Sequence, residues 1–345
     1  MELLKDTINN ITKKQLIGDI LMNISRKALV VGIDDYPGAH LNGCVRDAAS
    51  VADILKKNYD GTPNFDIELH YDVKTKSDLI EHIKELFKGT NDIALFYFSG
   101  HGYFGELGGF IVTPDNKKND MGVSMETLMK LASASKSKDR IIIADCCHSG
   151  QIGSTDVEED RTMLGDGMTI MAACTRLETA KESNGHGVFT KLLVEGLKGG
   201  ASDLSGNVSP GGLYAYIDRS LGPWDQRPVF KTNVSRFSSL REVRPPIEYE
   251  ALISIEALFY SPESIIELNP SFEFTNSRDY KWETKEPFAS QRNVDKFKKL
   301  QSLERAGLVV PVGEDHMYFA AMNSKSCKLT PLGQHYWNLI KRGLI

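Results

Sequence analysis

The sequence lacks any apolar run of about 18 residues, so we expect no helix that spans a membrane. It also lacks an excess of either charge: 41 Lys and Arg stand against 46 Asp and Glu, for a formal net charge of -5. Such a mild charge gives no electrostatic reason to expect a membrane or nucleic-acid partner. Residues 1–26 contain charges throughout and no continuous apolar segment, so we expect no signal peptide there.

Cysteine is scarce. The chain has five cysteines, an odd number, and two of them are adjacent at positions 146 and 147. A framework of disulfide bonds is therefore not expected. Reduced thiols indicate a cytoplasmic protein.

Short apolar runs alternate with amphipathic helical patterns as far as about residue 240. Continuous apolar strands joined by helices are typical of a mainly parallel sheet covered on both faces. The sequence therefore predicts an α/β fold with a mainly parallel six-stranded sheet and helices on both faces. The predicted strands are 27–33, 65–71, 92–98, 109–114, 140–146 and 168–174, and the predicted helices are 44–58, 75–88, 124–135 and 188–199.

The chain divides into three predicted segments: a helical extension at 1–26, the main α/β domain at 27–240, and a smaller domain at 241–345. The Pro245–Pro246 pair marks the linker to the last segment, because proline stops regular structure. The tail reads helix, strand, turn, strand, helix, which predicts a small α+β, winged-helix-like domain. From residue 245 onward it has 12 Lys and Arg against 13 Asp and Glu, and DNA-binding winged helices normally present a basic face.

Gly100, Gly102 and Gly105 form the pattern G-x-G-x-x-G directly after an apolar run. A dinucleotide-binding loop with this pattern must open a helix, whose N-terminus holds the pyrophosphate. The sequence after Gly105 is strand-like and broken by glycine, so a tight turn is favoured over a nucleotide site. His101 stands between two of these glycines. It is either a catalytic base at the end of a strand or a core histidine with both nitrogens satisfied; the glycines disfavour the core reading, because they remove side-chain cover.

A second strand ends with Asp145, Cys146, Cys147 and His148. The carboxyl ends of parallel strands meet at one edge of the sheet, which is where ligands bind. A cysteine there, beside a histidine from a neighbouring strand, is the arrangement that a thiol nucleophile needs. The pair His101 and Cys147 therefore predicts nucleophilic catalysis by a thiol.

Four blocks of the sequence carry a resemblance to a known family. YFSGHG and DCCHSG look like the two catalytic motifs of the caspase–metacaspase clan of cysteine peptidases, here in a prokaryotic type with an extra C-terminal domain. VVGIDDYPGAHLNGCVRDAASVADIL is similar to the first strand and helix of that family. AACTRLETAKE followed by GVFTKLLVEGL resembles its small-subunit half. The resemblance covers about residues 27–235 and implies a cysteine endopeptidase domain.

The resemblance implies a nucleophile at Cys147, the third residue of the motif D-x-C-H, with His101 as its partner and no cofactor. It also implies an oxyanion hole made by the backbone N–H groups of Gly102 and Cys147. Strand alternation agrees, since Asp145 and Cys147 point to one face and Cys146 to the other. Two alternatives remain: His148 as the base, and a zinc site at 146–148, which adjacent ligands disfavour.

The family pattern also implies an acidic pocket for the substrate residue before the scissile bond. The matching positions are Cys44, Asp47, Ser99 and Asp145. Two carboxylates in one partly buried slot favour Arg or Lys as that residue. The alternative for Asp47 is that it only caps or solvates its helix.

Two further expectations concern regulation. The family's calcium-dependent members carry an acidic cluster after the histidine motif, but this chain has only Asp115, Asn116 and Asp120 there, so we do not expect calcium activation. The loop 154–167 holds Arg161, which suits the implied pocket. Cleavage after Arg161, or after Lys138 or Arg140, would mature or regulate the enzyme.

The implied partners are a protein substrate and a protein or sensor that docks on the C-terminal domain, in a cell-death or defence pathway. A gasdermin-like pore-forming protein is a candidate substrate by resemblance. Nucleic acid is not an expected partner. The alternatives are a catalytically silent scaffold and a DNA-associated regulator that acts through the tail.

Overall fold

The computed structural model describes residues 25–105, 108–118, 120–146, 164–173, 182–183, 186–221, 227–279 and 284–345. The chain forms two compact units, divided between Arg244 and Pro245. Nearly all of the extension predicted at 1–26, and most of the loop 154–167, lie outside the described residues. Within the part that is described, no helix is both long and apolar enough to cross a membrane.

The described strands of the first unit are β1 (Arg26–Gly32), β2 (Asp66–Tyr71), β3 (Ile93–Ser99), β4 (Gly102–Gly105), β5 (Gly108–Lys117), β6 (Asp120–Ser124), β7 (Asp139–Asp145), β8 (Met168–Ala172), β9 (Glu182–Ser183), β10 (His186–Gly187), β11 (Asn207–Val208), β12 (Val229–Asn233) and β13 (Arg241–Glu242). Its helices are α1 (Cys44–Lys56), α2 (Lys76–Lys88), α3 (Met125–Ala134), α4 (Val188–Glu195), which runs into a π-helical turn at Gly196–Gly200, and α5 (Pro210–Ser220).

Six strands form the main sheet in the order β12–β8–β7–β3–β1–β2. Neighbours pair in parallel except β12, which runs antiparallel to β8 at one edge. The prediction of a mainly parallel six-stranded sheet with helices on both faces is confirmed. Successive side chains of a strand point to opposite faces, so strands that are apolar throughout bury both faces at once.

The two faces of the sheet carry separate hydrophobic cores. Tyr97 and Ile143 belong to the core under α1, α4 and α5. Phe96 and Ile142 belong to the core under α2 and α3. Each helix presents an apolar stripe to its face. Three of the helices begin at a serine or threonine whose oxygen accepts from a backbone N–H of the first turn, which is the usual N-cap.

One predicted strand lies elsewhere. Residues 109–114 belong to β5, in a separate antiparallel sheet of order β4–β5–β6, and the sixth strand of the main sheet is β12 instead. Gly105 pairs with Gly108, so the chain turns back on itself beyond β3 rather than crossing to the main sheet. The apolar run 109–114 was assigned to the main sheet because a strand that is buried in a hairpin has the same apolar pattern as a central strand. Ile111, for example, is buried. The strand β12 was missed because it is a half-exposed edge with few apolar residues.

The second unit contains helices α6 (Tyr249–Leu258), α7 (Gln291–Arg305), α8 (Met317–Met322) and α9 (Pro331–Lys341), a 3-10 turn at Pro270–Phe272, and strands β14 (Ile265–Glu267), β15 (Val309–Val312) and β16 (Ser326–Leu329). The strands form an antiparallel sheet of order β14–β16–β15. From α7 to α9 the order is helix, strand, short helix, strand, helix, so a short helix stands where the sequence predicted a turn.

Candidate active site

The two segments expected to carry the catalytic pair leave the sheet side by side. Strands β3 and β7 are parallel neighbours, and Ser99 pairs with Asp145 in their register. The N–H of Gly100 donates to the carbonyl of Asp145 at 3.3 Å. His101 is two residues beyond Ser99, and position 147 is likewise two residues beyond Asp145. Cys147 and His148 themselves lie outside the described residues.

The imidazole of His101 is held by the loop that follows β1. Its Nε2 lies 2.7 Å from the carbonyl oxygen of Ala39. A carbonyl oxygen only accepts, so Nε2 carries the hydrogen and the neutral ring offers Nδ1 as its basic nitrogen. The side chain is only partly buried, so the alternative of a core histidine is wrong.

Tyr36 fixes the backbone of the same histidine, and sequence reasoning did not identify it. Its hydroxyl accepts from the N–H of His101 at 3.1 Å and donates to the carbonyl of Val112 at 3.3 Å. Its ring meets the imidazole edge-on, with centroids 4.6 Å apart. Burial raises the pKa of the Tyr36 phenol, so the hydroxyl stays neutral and keeps both bonds. Its position directly after β1, at the carboxyl edge, was the clue in the sequence.

Gly100 is needed where it stands. A Cβ at this position would lie 2.5 Å from the hydroxyl oxygen of Tyr36 and 2.6 Å from Cζ of Phe98. Both contacts are far inside van der Waals distance. The glycine before the histidine therefore serves close packing of Tyr36, and not a phosphate.

The glycine pattern does not open a helix. Gly102–Gly105 is strand β4, and the chain returns as β5 from Gly108. Among the described residues on either side of positions 106 and 107, no helix begins. This part of the chain therefore offers no helix N-terminus to hold a pyrophosphate. Gly102 pairs with Ile111 at the start of this hairpin.

Two aspartates anchor the loop that holds His101. The carboxylate of Asp34 accepts from the N–H groups of Cys44 at 2.8 Å and Val45 at 3.3 Å, at the first turn of α1. The carboxylate of Asp72 accepts from the N–H groups of Asp34 and Asp35, at 2.8 and 2.9 Å. The loop is thereby tied to both α1 and the end of β2.

The four residues of the predicted acidic pocket are all buried and lie together. Cys44, Asp47, Ser99 and Asp145 have exposed fractions of 7, 1, 2 and 6%. Burial raises the pKa of the Cys44 thiol, and the hydrogen bond with Ser99 only partly offsets this. The nearby charges of Asp145 and Asp47 raise it further, so the thiol remains protonated.

Gly187 is the point at which the two carboxylates meet. Its N–H donates to Oδ2 of Asp47 at 3.0 Å. A Cβ on Gly187 would lie 2.3 Å from Oδ2 of Asp145 and 3.3 Å from Oδ2 of Asp47. Because Asp47 is buried and bonded to a residue far along the chain, the alternative that it only caps or solvates its own helix is wrong.

A chain of hydroxyl groups supports Asp145 from inside the sheet. The hydroxyl of Thr190 donates to Oδ2 of Asp145 at 2.6 Å. Since that hydroxyl gives its hydrogen to the carboxylate, the hydroxyl of Tyr97, 2.6 Å away, donates to Thr190. Burial raises the pKa of Tyr97 well above its usual value, and the charge of Asp145 adds to this. Thr190 and Gly187 both belong to the start of α4, whose N-terminal dipole favours negative charge.

The acidic segment after the histidine contains a lysine contact. Lys76 places its ammonium 2.7 Å from Oδ1 of Asp120, and its backbone N–H donates to Asp115 at 3.1 Å. The amide of Asn116 donates to the carbonyl of Thr113. The ammonium group of Lys76 therefore pairs with one of the carboxylates of this acidic segment.

One suggested cleavage position is excluded. Arg140 lies inside the central strand β7, is 8% exposed, and bonds the carbonyls of Ser137 and Lys138 through its guanidinium. A protease could not reach that peptide bond in the folded chain. Lys138 is exposed and lies just before the strand. Arg161 lies outside the described residues.

Comparisons with known proteins give the following matches. The family model of the caspase domain, Peptidase_C14, matches residues 25–231. A solved protein from Geobacter sulfurreducens is 18% identical, with a TM-score of 0.45, and the match covers 64% of this chain and 98% of that one. Caspase-1 from Spodoptera frugiperda is 14% identical, with a TM-score of 0.47, and the match covers 64% of this chain and 91% of the other. A search of curated proteins finds no significant match.

Proposed function

This chain belongs to the caspase-domain family of peptidases, and from that premise we propose that it is an active endopeptidase of the metacaspase type. It uses a Cys147–His101 dyad and cleaves proteins after Arg or Lys. The observation that carries the proposal is the register of β3 and β7, which sends both motif segments off the same edge of the sheet. Protein substrates follow from the peptidase family itself.

The dyad acts as a nucleophile and a proton carrier. The thiol of Cys147 gives its proton to Nδ1 of His101, and the sulfur forms a bond to the peptide carbonyl carbon. The carbonyl π electrons move to the oxygen, which the N–H groups of Gly102 and Cys147 stabilise. The imidazolium then protonates the leaving amine and a thioester remains. Water, deprotonated by Nδ1, hydrolyses that thioester and frees the thiol.

The proposed orientation of His101 rests on its hydrogen bonds. The Ala39 carbonyl holds Nε2–H at 2.7 Å, which leaves Nδ1 for the thiol. The Tyr36 hydroxyl holds the backbone N–H of the same residue. Orientation of this kind lowers the entropy that must be lost on reaching the transition state. His148, the other candidate base, lies outside the described residues.

The preference for a basic residue rests on Asp47 and Asp145. Both carboxylates converge on Gly187, and the hydroxyl of Ser99 lies beside them through its contact with Cys44. A guanidinium presents several N–H donors in a fixed fork, which suits two carboxylates at one point. A substrate aspartate would place a third negative charge there.

We extend the proposal to regulation and setting. Cleavage after Arg161, or after the exposed Lys138, matures the enzyme or tunes its activity. The C-terminal segment at 241–345 docks a protein or a sensor that gates the peptidase in a cell-death or defence pathway, with a gasdermin-like protein as candidate substrate. Among the described residues, Cys44, Cys146 and Cys327 form no disulfide bond, which supports a cytoplasmic setting.

The test is hydrolysis of three fluorogenic peptides that differ only in ending with Arg, Lys or Asp. We expect turnover of the Arg and Lys peptides, little or none of the Asp peptide, and loss of turnover in Cys147→Ala. Mass spectrometry of both chains tests cleavage at Arg161, which should appear only in the active one.

Three results would contradict the proposal in different ways. An inert wild-type chain would favour a catalytically silent scaffold. Turnover that survives Cys147→Ala would exclude the dyad. A salt-dependent shift of DNA by the inert chain would favour a DNA-associated regulator.

A further inference from the structure

Three metal-ligating side chains meet on the edge strand of the main sheet. Glu68 and His70 are two residues apart on β2, so they point to the same face. His82 lies on α2, which packs on that face. The order β3–β1–β2 separates this cluster from the strand that leads to His101. It takes no part in the proposed peptidase chemistry.

One carboxylate oxygen is shared by both imidazoles. Oε1 of Glu68 lies 2.9 Å from Nε2 of His70 and 2.9 Å from Nδ1 of His82. The two rings are tilted by 35°, with centroids 3.7 Å apart. The three ligand atoms all lie within 4.8 Å of one another. Among the described residues, no other group of three His, Cys, Asp or Glu side chains brings its ligand atoms this close together.

We propose that Glu68, His70 and His82 bind a divalent transition metal ion of the Zn²⁺ class. Zinc binds nitrogen and oxygen ligands at 2.0–2.2 Å, so tetrahedral ligand atoms lie about 3.3 Å apart. The shared oxygen would move only slightly from its present distances to both nitrogens. Each of these nitrogens must present a lone pair, so its hydrogen passes to the other ring nitrogen or to solvent.

The ligand set selects the kind of ion. Two imidazoles and one carboxylate suit zinc and its neighbours, whereas calcium takes six to eight oxygen ligands. The side chains are 28–30% exposed, so water can complete the coordination. The site is therefore of the three-ligand type, open to solvent on one side.

Lys27 lets the direction of a change in metal affinity be tested. Its ammonium lies 3.6 Å from Oε2 of Glu68, on the oxygen that the imidazoles do not share. A lysine charge this close opposes a second cation at the carboxylate. Lys27→Met keeps an unbranched side chain that is only one atom shorter and removes the charge, so it should tighten metal binding.

The experiment uses full-length chains with Cys147→Ala, because a catalytic thiol could itself take up metal. Apo protein is titrated with Co²⁺ and followed by visible absorption, and Zn²⁺ is then added to displace the Co²⁺. We expect one Co²⁺ per chain, displaced by Zn²⁺ and unaffected by excess Ca²⁺. Loss of an outer-shell partner weakens metal binding by about 10–100-fold. His82→Asn or Glu68→Gln removes a ligand itself and should weaken binding by at least as much.

The controls separate binding from folding. His335→Asn replaces an exposed histidine of the second unit and should leave affinity unchanged. Thermal melts report whether each variant folds. If His82→Asn and Glu68→Gln do not fold, Lys27→Met decides, since it should bind more tightly. Absence of Co²⁺ binding in the parent, parental affinity in a folded His82→Asn, or weaker binding in Lys27→Met would overturn the proposal.

Discussion

At the scale of single residues, the site depends on side chains that hold the backbone or the side chain of another residue in place. Tyr36 carries no chemistry of its own, yet its hydroxyl ties the backbone of His101 to Val112. Thr190 likewise connects Tyr97 to Asp145. In each case a buried hydroxyl both accepts and donates, which an ionised carboxylate or an ammonium group cannot do. These residues determine where the reactive groups stand.

The role of Tyr36 predicts the effect of Tyr36→Phe. The backbone N–H of His101 and the carbonyl of Val112 lose their buried partner, which should cost about 1–3 kcal/mol of unfolding free energy. Looser placement of the imidazole should lower kcat by about 10- to 100-fold, with a smaller change in KM. Peptide kinetics and urea unfolding measure both. Tyr59→Phe, at a tyrosine that is 53% exposed, is the control. Unchanged kcat in Tyr36→Phe would remove the tyrosine from the site.

The two pocket carboxylates predict a change in selectivity. Asp47→Asn and Asp145→Asn should each lower kcat/KM for the Arg peptide by about 10- to 150-fold, since a hydrogen bond to a charged group contributes about 1.5–3 kcal/mol. The measurement is the ratio of the Arg peptide to one ending in a neutral residue, so loss of folded protein cancels. Asp53→Asn, at an exposed position of the same helix α1, should keep the parental ratio. An unchanged ratio in both pocket variants would refute the acidic pocket.

At the scale of elements, the start of α4 joins two distant parts of the first unit. Asp47 comes from α1 and Asp145 from the end of β7, and both reach the first turn of α4. The helix N-terminus offers an N–H group and a partial positive charge at the point where the carboxylates converge. Without it, two buried negative charges would repel each other with little compensation.

This junction predicts a steric effect for Gly187→Ala. The backbone of Gly187, at φ −61° and ψ 131°, accepts alanine without strain. The added methyl group would nevertheless lie 2.3 Å from Oδ2 of Asp145, so the carboxylate must move. We expect the Arg-to-neutral peptide ratio to fall while the chain stays folded. Gly165→Ala, where the nearest atom would be 3.7 Å from the methyl group, is the matched control. Equal ratios in the two variants would show that Asp145 does not contact the substrate.

At the scale of the whole molecule, the chain consists of two units with separate cores. The described residues of the proposed site and both hydrophobic faces of the main sheet belong to the unit that ends at Arg244. The unit Pro245–Ile345 has its own three-stranded sheet and its own buried aromatic pair, Phe272 and Phe297. A unit with its own core can in principle fold alone.

The separation predicts that a chain ending at Arg244 is a folded peptidase. It should unfold cooperatively in urea and keep the preference for Arg and Lys peptides, because the described residues of its two cores and of its pocket all belong to the first unit. A change in its basal rate relative to the full chain would measure the gating that we propose for the tail. The same truncation with Cys147→Ala is the blank. Aggregation, or loss of the basic preference, would show that the tail is part of the enzyme.

The sequence alone was sufficient for five of the six strands of the central sheet and for the edge at which the proposed site lies. Five of the six predicted strands were correct, because buried parallel strands are continuous apolar runs that local pattern reveals. The hairpin strand β5 was wrongly assigned to that sheet, since burial of Ile111 looks the same in either sheet. Cys44, Asp47, Ser99 and Asp145 could be named from the resemblance of their motifs.

Only the tertiary structure decided how those residues are held. The link from Tyr36 to His101, the meeting of Asp47 and Asp145 at Gly187, and the cluster of Glu68 with two histidines join segments that are far apart in the chain. The pattern of a sequence shows the periodicity and polarity of a short segment, which are properties of adjacent residues. Contacts between distant segments depend on strand order and register, which are set by the packing of the whole unit.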